Sequence, residues 1–108
     1  MITINYCVEG TPYSDFEAEA VVEQWFRNGG SSVYHVSTEN VISFVRVMVA
    51  ESKVSHTDVQ IQYNGENLEM NEYAVFKKWA KGFCDFNNEN ATRIIKAQNA
   101  KRKSRRNK

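Results

Sequence analysis

Apolar and polar positions alternate with period two at the start of the chain: Ile2, Ile4 and Tyr6 are separated by Thr3 and Asn5, which predicts a strand. Gly10, Thr11 and Pro12 end it. Ser14, three residues before Glu17, then sets up the reciprocal cap of a helix start. From there the period changes: Ala18, Val21, Val22, Trp25 and Phe26 recur at three- and four-residue spacing, giving a helix with one apolar face that Gly29-Gly30 stops. Ser32 to Val36 is a short run of β formers and predicts a second strand. Ser37 or Thr38 is placed to cap a second helix with the face Val41, Phe44, Val45, Met48 and Val49. Its β-branched residues also suit a strand, and the five matches at helical spacing decide for the helix. Val59, Ile61 and Tyr63 next alternate with Gln60 and Gln62. Asn64-Gly65 accepts positive φ, and Leu68 and Met70 alternate with Asn67, Glu69 and Asn71, so a β-hairpin with a type I′ turn is expected over Asp58 to Met70. A last helix from about Asn88 has a narrow apolar side of Ala91, Ile94 and Ile95.

Strands alternating with helices of this length predict an α/β fold: a small mixed sheet in the order β-α-β-α-β-β-α. The first two strands are expected to be parallel, through right-handed crossovers, and to be followed by the hairpin and a C-terminal helix. With 108 residues, 42% of them hydrophobic, the chain has material for one core. The folded domain is expected over residues 1–96, followed by a basic, disordered tail over 97–108.

Charge changes the picture of that tail. All 13 acidic residues lie at or before Glu89, while 8 of the 14 basic residues follow Thr92. The body is therefore strongly acidic and the end strongly basic. Lys101, Arg102, Lys103, Arg105, Arg106 and Lys108 are the candidate nucleic-acid-binding residues, with an affinity that falls as salt rises. Two alternatives stay open: the segment folds back on the acidic body, or it is a solvated end.

Other chemistry is sparse. No glycine-rich loop precedes Lys and Ser/Thr, so no phosphate cradle of the usual kind is expected. His35 and His56 lack a second ligand at metal spacing; His35 reads as a strand residue and His56 as a solvent-facing loop residue. Glu9 is a conceivable metal or acid/base group, whereas Asp15, Glu17, Glu19 and Glu23 read as a solvated helix face. Trp25, Phe26, Trp79 and Phe83 read as core rather than as base-stacking groups. Cys7 and Cys84 are expected to be free thiols, Cys84 inert beside Phe83 and Phe86. Asn90-Ala91-Thr92 fits a glycosylation acceptor, but it reads as the start of the last helix. Met1-Ile2-Thr3-Ile4 lacks the pattern of an export signal and no run of about 18 apolar residues exists, which places the chain in the cytoplasm and off the membrane. No catalytic residue, metal or cofactor is expected, and no enzyme activity.

The segment Trp79-Ala80-Lys81-Gly82-Phe83-Cys84-Asp85 after the hairpin resembles a Trp-Pro-x-Gly-Phe-Phe-Asp cluster in the nucleotide-binding domain of ABC/AAA-type ATPases, the OLD and SMC-like group of bacterial defence systems. Trp79, Gly82, Phe83 and Asp85 match; Ala80 stands for Pro and Cys84 for Phe. Upstream, Val36-Ser37-Thr38-Glu39-Asn40 is similar to the family's switch segment and Ile4 to Glu9 to its acidic Walker B strand, with Asn5-Tyr6 in place of the paired acids and no switch histidine. The resemblance implies the C-terminal half of such a domain, without its catalytic motifs. A half-domain leaves an edge or face of its sheet uncovered. The role this implies is that of a non-catalytic, ATPase-like protein-interaction module, encoded by a phage or mobile element, that regulates or mimics a larger ATPase or self-associates. A small nucleic-acid-binding protein using the basic tail is the alternative.

Overall fold

The computed structural model describes residues 1–78 and 88–106. Its elements in chain order are β1 (Ile2–Thr11), α1 (Asp15–Asn28), β2 (Ser32–Val36), α2 (Asn40–Ala50), a 3₁₀ turn at His56–Asp58, β3 (Val59–Tyr63), β4 (Glu66–Leu68) and α3 (Asn88–Arg106). The four strands form one mixed sheet in the order β2-β1-β3-β4. β1 runs parallel to both neighbours, and β3 pairs antiparallel with β4. This is the mixed α/β sheet that the alternating periods predict, with its first two strands as parallel neighbours.

Local chemistry sets most of the element ends. The Ser14 hydroxyl accepts the Glu17 N–H at 3.2 Å while the Glu17 carboxylate accepts the Ser14 N–H at 3.4 Å, so two amides without helical partners are satisfied at the start of α1. Asn64 and Gly65 take φ of 50° and 85°, the two positive values that a type I′ turn requires, and they close the β3–β4 hairpin. The second strand of that hairpin is shorter than its pattern suggests. β4 ends at Leu68, and Met70 instead makes a single bridge to Phe76. Neither Ser37 nor Thr38 caps α2. Glu39 occupies the cap position without a side-chain cap bond, and the Thr38 hydroxyl accepts the Tyr13 N–H at 3.2 Å, tying the entries of the two helices together.

Burial explains why so many valines are helical here. Nine of the eleven α2 residues are buried, on all sides rather than along one stripe, and a helix that is apolar all round belongs inside. Each buried Val or Ile contributes about 1.5–3 kcal/mol of transfer free energy, which outweighs the few tenths by which β-branching disfavours a helix. Inside contacts come from one face of the sheet. Ile4 pairs with Tyr34 and Ile61, and Tyr6 with Val36 and Tyr63, so these six side chains share that face.

Both crossover helices cover it. Trp25 of α1 stacks on Tyr34 with centroids 4.1 Å apart, and the Tyr63 hydroxyl donates to Glu39 at the head of α2 at 2.8 Å. β2 lies on one side of β1 and β3 on the other, so two crossovers over the same face have opposite hands. Right-handedness therefore holds for one crossover and not for both, although it is the strong general rule.

α3 covers the outer side of α2. Ile94 and Asn90 are buried, and Asn90 donates to the buried Ser43 hydroxyl of α2 at 3.3 Å. Ile95, expected on the same apolar side, is 55% exposed. The helix does not stop at 96. Ala97, Gln98 and Lys101 continue the inward stripe of Asn90 and Ile94, which extends the helix through the basic segment to Arg106.

One glycine is set by close approach. β1 pairs with Val36 at Tyr6 and again at Thr11, with a bulge between, and a Cβ on Gly10 would lie 2.3 Å from the Val36 carbonyl carbon. Backbone cannot yield there as a flexible side chain would. Gly10→Ala is expected to lower stability by about 2 kcal/mol or more, read from the urea midpoint, because the added methyl forces β1 and β2 apart. A change below about 0.5 kcal/mol would contradict that packing.

Candidate functional site

The second face of the sheet carries the polar half of each strand's alternation. Thr3 lies in register with Val33 and Gln60; Asn5 lies in register with His35 and Gln62; Gln62 faces Asn67. These seven side chains make a face without a formal charge at neutral pH, on a chain in which 25% of residues are charged. Two cross-strand hydrogen bonds order it. The Asn5 amide donates to His35 Nδ1 at 3.0 Å, and the Gln60 amide donates to Asn67 Oδ1 at 3.0 Å, both in exposed positions. Val33 is 57% exposed at the edge of this surface. Among the described residues no helix covers the face, and no strand pairs with the outer edge of β2.

Midway along β1 and at the C-terminal end of β3 the Tyr6 and Tyr63 rings stack, centroids 4.5 Å apart and 9° from parallel. Burial raises the Tyr63 phenol well above its ordinary range, and its hydrogen bond to the Glu39 carboxylate raises it further. The phenol therefore stays a neutral donor across the physiological range. Asn40 donates to the Tyr13 carbonyl at 2.8 Å and to the Asp15 carboxylate at 2.9 Å, joining the N-termini of α1 and α2. The cluster holds two helix starts against the sheet, and its bonds run between side chains and backbone of the fold itself.

The basic helix is partly an anchor. Arg93 donates to both Glu51 oxygens, at 3.0 and 3.2 Å, and to Glu19 at 3.1 Å, linking α3 to the end of α2 and to α1. Lys101 donates to the carbonyls of Val49, at 3.1 Å, and Glu72; a cation at the C-terminal end of α2 also complements that helix's dipole. Arg102 lies over the Tyr73 ring, 5.5 Å from its centroid. Lys96 and Lys103 are exposed.

The residues singled out from the sequence thus separate. Of the basic set, Lys101 and Arg102 touch the body, Lys103 faces solvent, and Arg105 and Arg106 belong to the last turn of α3. Lys108 lies outside the described residues, as do Trp79, Gly82, Phe83, Cys84 and Asp85. His35 is an exposed strand residue, and His56 is half-buried in the 3₁₀ turn rather than fully solvated. Trp25 is buried, Phe26 packs against the core, and Cys7 is a free, half-buried thiol. Glu9 is exposed, and among the described residues no three His, Cys, Asp or Glu side chains gather as metal ligands. The Arg93 clamp and the Tyr63–Glu39 bond had no sequence expectation, because each joins residues with no local spacing signal. Comparison of the chain with protein-family models, with curated proteins and with solved structures gives no match.

The clamp has a pH signature. Hydrogen bonding to Arg93 holds the Glu51 carboxyl below its ordinary value, against the burial that raises it. A carboxyl depressed by folding contributes its stabilisation fully above the unfolded value, and that contribution is lost as pH falls through the folded value. Arg93→Met is expected to cost about 1–2 kcal/mol at pH 7, by urea unfolding, and the gap from the parent is expected to shrink below about pH 4. A gap independent of pH would show that the ion pair is not what α3 loses.

Proposed function

We propose that the chain is a non-catalytic protein-interaction module that docks through the open face of its sheet and the free edge of β2. The supporting observation is that face itself: among the described residues no helix covers it and its strand side chains carry no formal charge, on a molecule that is otherwise rich in charge. Charged groups are depleted at the centres of protein interfaces, and amide side chains offer a donor and an acceptor each, so such a face binds without burying an unpaired ion. The edge of β2 adds backbone. An unpaired strand presents a row of N–H and C=O groups to which an extended partner segment adds.

The partner of this reading is a larger ATPase of the group that Trp79 to Asp85 resembles, which the chain regulates or mimics. A half-domain that keeps a mixed sheet and leaves one face open has the shape such a role asks for. Its β2 edge lies where a longer sheet would continue.

Val33→Lys with Gln62→Lys places two charges on the face without touching the core. With the purified chain and the nucleotide-binding domain of such an ATPase, sedimentation and titration calorimetry are expected to show a complex that the double variant weakens about tenfold or more. The variant's unfolding midpoint should stay within about 0.5 kcal/mol of the parent. A parent chain that binds no such domain, or a variant that binds as tightly, would overturn the reading.

A further inference from the structure

We infer that the outer face of α3 is a binding surface for the phosphate backbone of nucleic acid, separate from the sheet face and independent of the protein partner above. The helix sorts its side chains by side. Arg93, Ile94, Gln98 and Lys101 turn inward to Glu51, the core, the Tyr73 carbonyl and the end of α2. Lys96, Asn99, Arg102, Lys103 and Ser104 are exposed. Lys96 and Lys103 are seven residues apart, two turns of helix, so they lie on one side about 10 Å from each other. No acidic residue occurs between Asn90 and Lys108; of the body's acids near the helix, Glu19 and Glu51 are held by Arg93, and Glu72 lies on the inner side, where its carbonyl accepts from Lys101.

The inward contacts give this surface its rigidity. Two of the cations are consumed in fixing the helix to α1 and α2, so the remaining ones are presented from a fixed rod rather than from a loose end. Less side-chain and backbone freedom is then lost on binding. A helix about 10–12 Å across also fits the major groove of duplex DNA, about 12 Å wide, with cations positioned toward the phosphates on either side.

The composition of the face selects among polyanions. A membrane-surface helix needs a broad apolar side opposite its cations. Here the exposed side has one large apolar residue, Ile95, and a hydrogen-bonding group at Asn99. Lysine, arginine and asparagine together are residue types that hold nucleic-acid phosphates. Arg105 and Arg106 follow in the same helix.

Fluorescence anisotropy with the full chain and a labelled 30-mer, as duplex DNA, duplex RNA and single strands, tests this at about 50 and 200 mM salt. Binding to at least one of these is expected, weakening steeply with salt, and the tightest of them names the source. Lys96→Gln, Arg102→Gln and Lys103→Gln together are expected to weaken it about tenfold or more at the lower salt and to make the salt slope shallower by about 2 to 3, at 0.9 per phosphate contact. Arg93→Gln separates anchoring from contact: its loss should follow α3 detachment seen by amide exchange. No binding to any nucleic acid at low salt, a triple variant that binds like the parent, or tighter binding to phosphatidylserine vesicles or polyglutamate would overturn the inference.

Discussion

The burial of α2 on nearly every side is the constraint on which the rest of the structure depends. With nine of its eleven residues out of water, this helix needs cover on every side. The sheet supplies one side, α1 a flank, and α3 the outer side. Arg46 shows what cover means for a polar residue there: its Nε donates to the Ala74 carbonyl at 3.0 Å and its guanidinium lies over Phe76. A buried cation without such partners would cost several kcal/mol.

That requirement puts every described helix on the same side of the sheet. The opposite side is then left with the polar half of each strand, which is why it carries Asn5, His35, Gln60, Gln62 and Asn67 and no charge at neutral pH. The unequal faces of the sheet and the unequal faces of α3 have one origin, a core gathered around α2. Among the described residues this leaves an uncharged sheet face and a basic outer side of α3. No described helix is long and apolar enough to cross a membrane.

Periodicity made the elements legible because it reports local geometry. The cap of Ser14 and Glu17, the alternation of Val59, Ile61 and Tyr63, and the Asn64-Gly65 turn are local, and each is present where its residues predict it. Legibility ended where long-range contacts decide. Ile94 and Ile95 look alike in sequence, and only the position of α2 buries the first and exposes the second. The basic segment reads as a tail by composition, yet Lys101 reaches back 52 residues to the Val49 carbonyl and the helix continues. Crossover hand is hidden for the same reason: general statistics favour two right-handed turns, and the side on which α2 must hide decides otherwise. The Trp79 to Asp85 cluster, on which the family resemblance rests, lies outside the described residues.

Both surfaces require that α3 has an inner face closing the core over α2 and an outer face left to solvent. Aspartate scanning of two adjacent positions measures this most directly, by urea unfolding of the full chain. Ile94→Asp, at a site 3% exposed, is expected to cost about 3 kcal/mol or more or to abolish cooperative unfolding. Ile95→Asp, at a site 55% exposed, is expected to change stability by no more than about 0.5 kcal/mol. Equal effects at the two positions, or a larger one at Ile95, would show that α3 does not pack in this orientation.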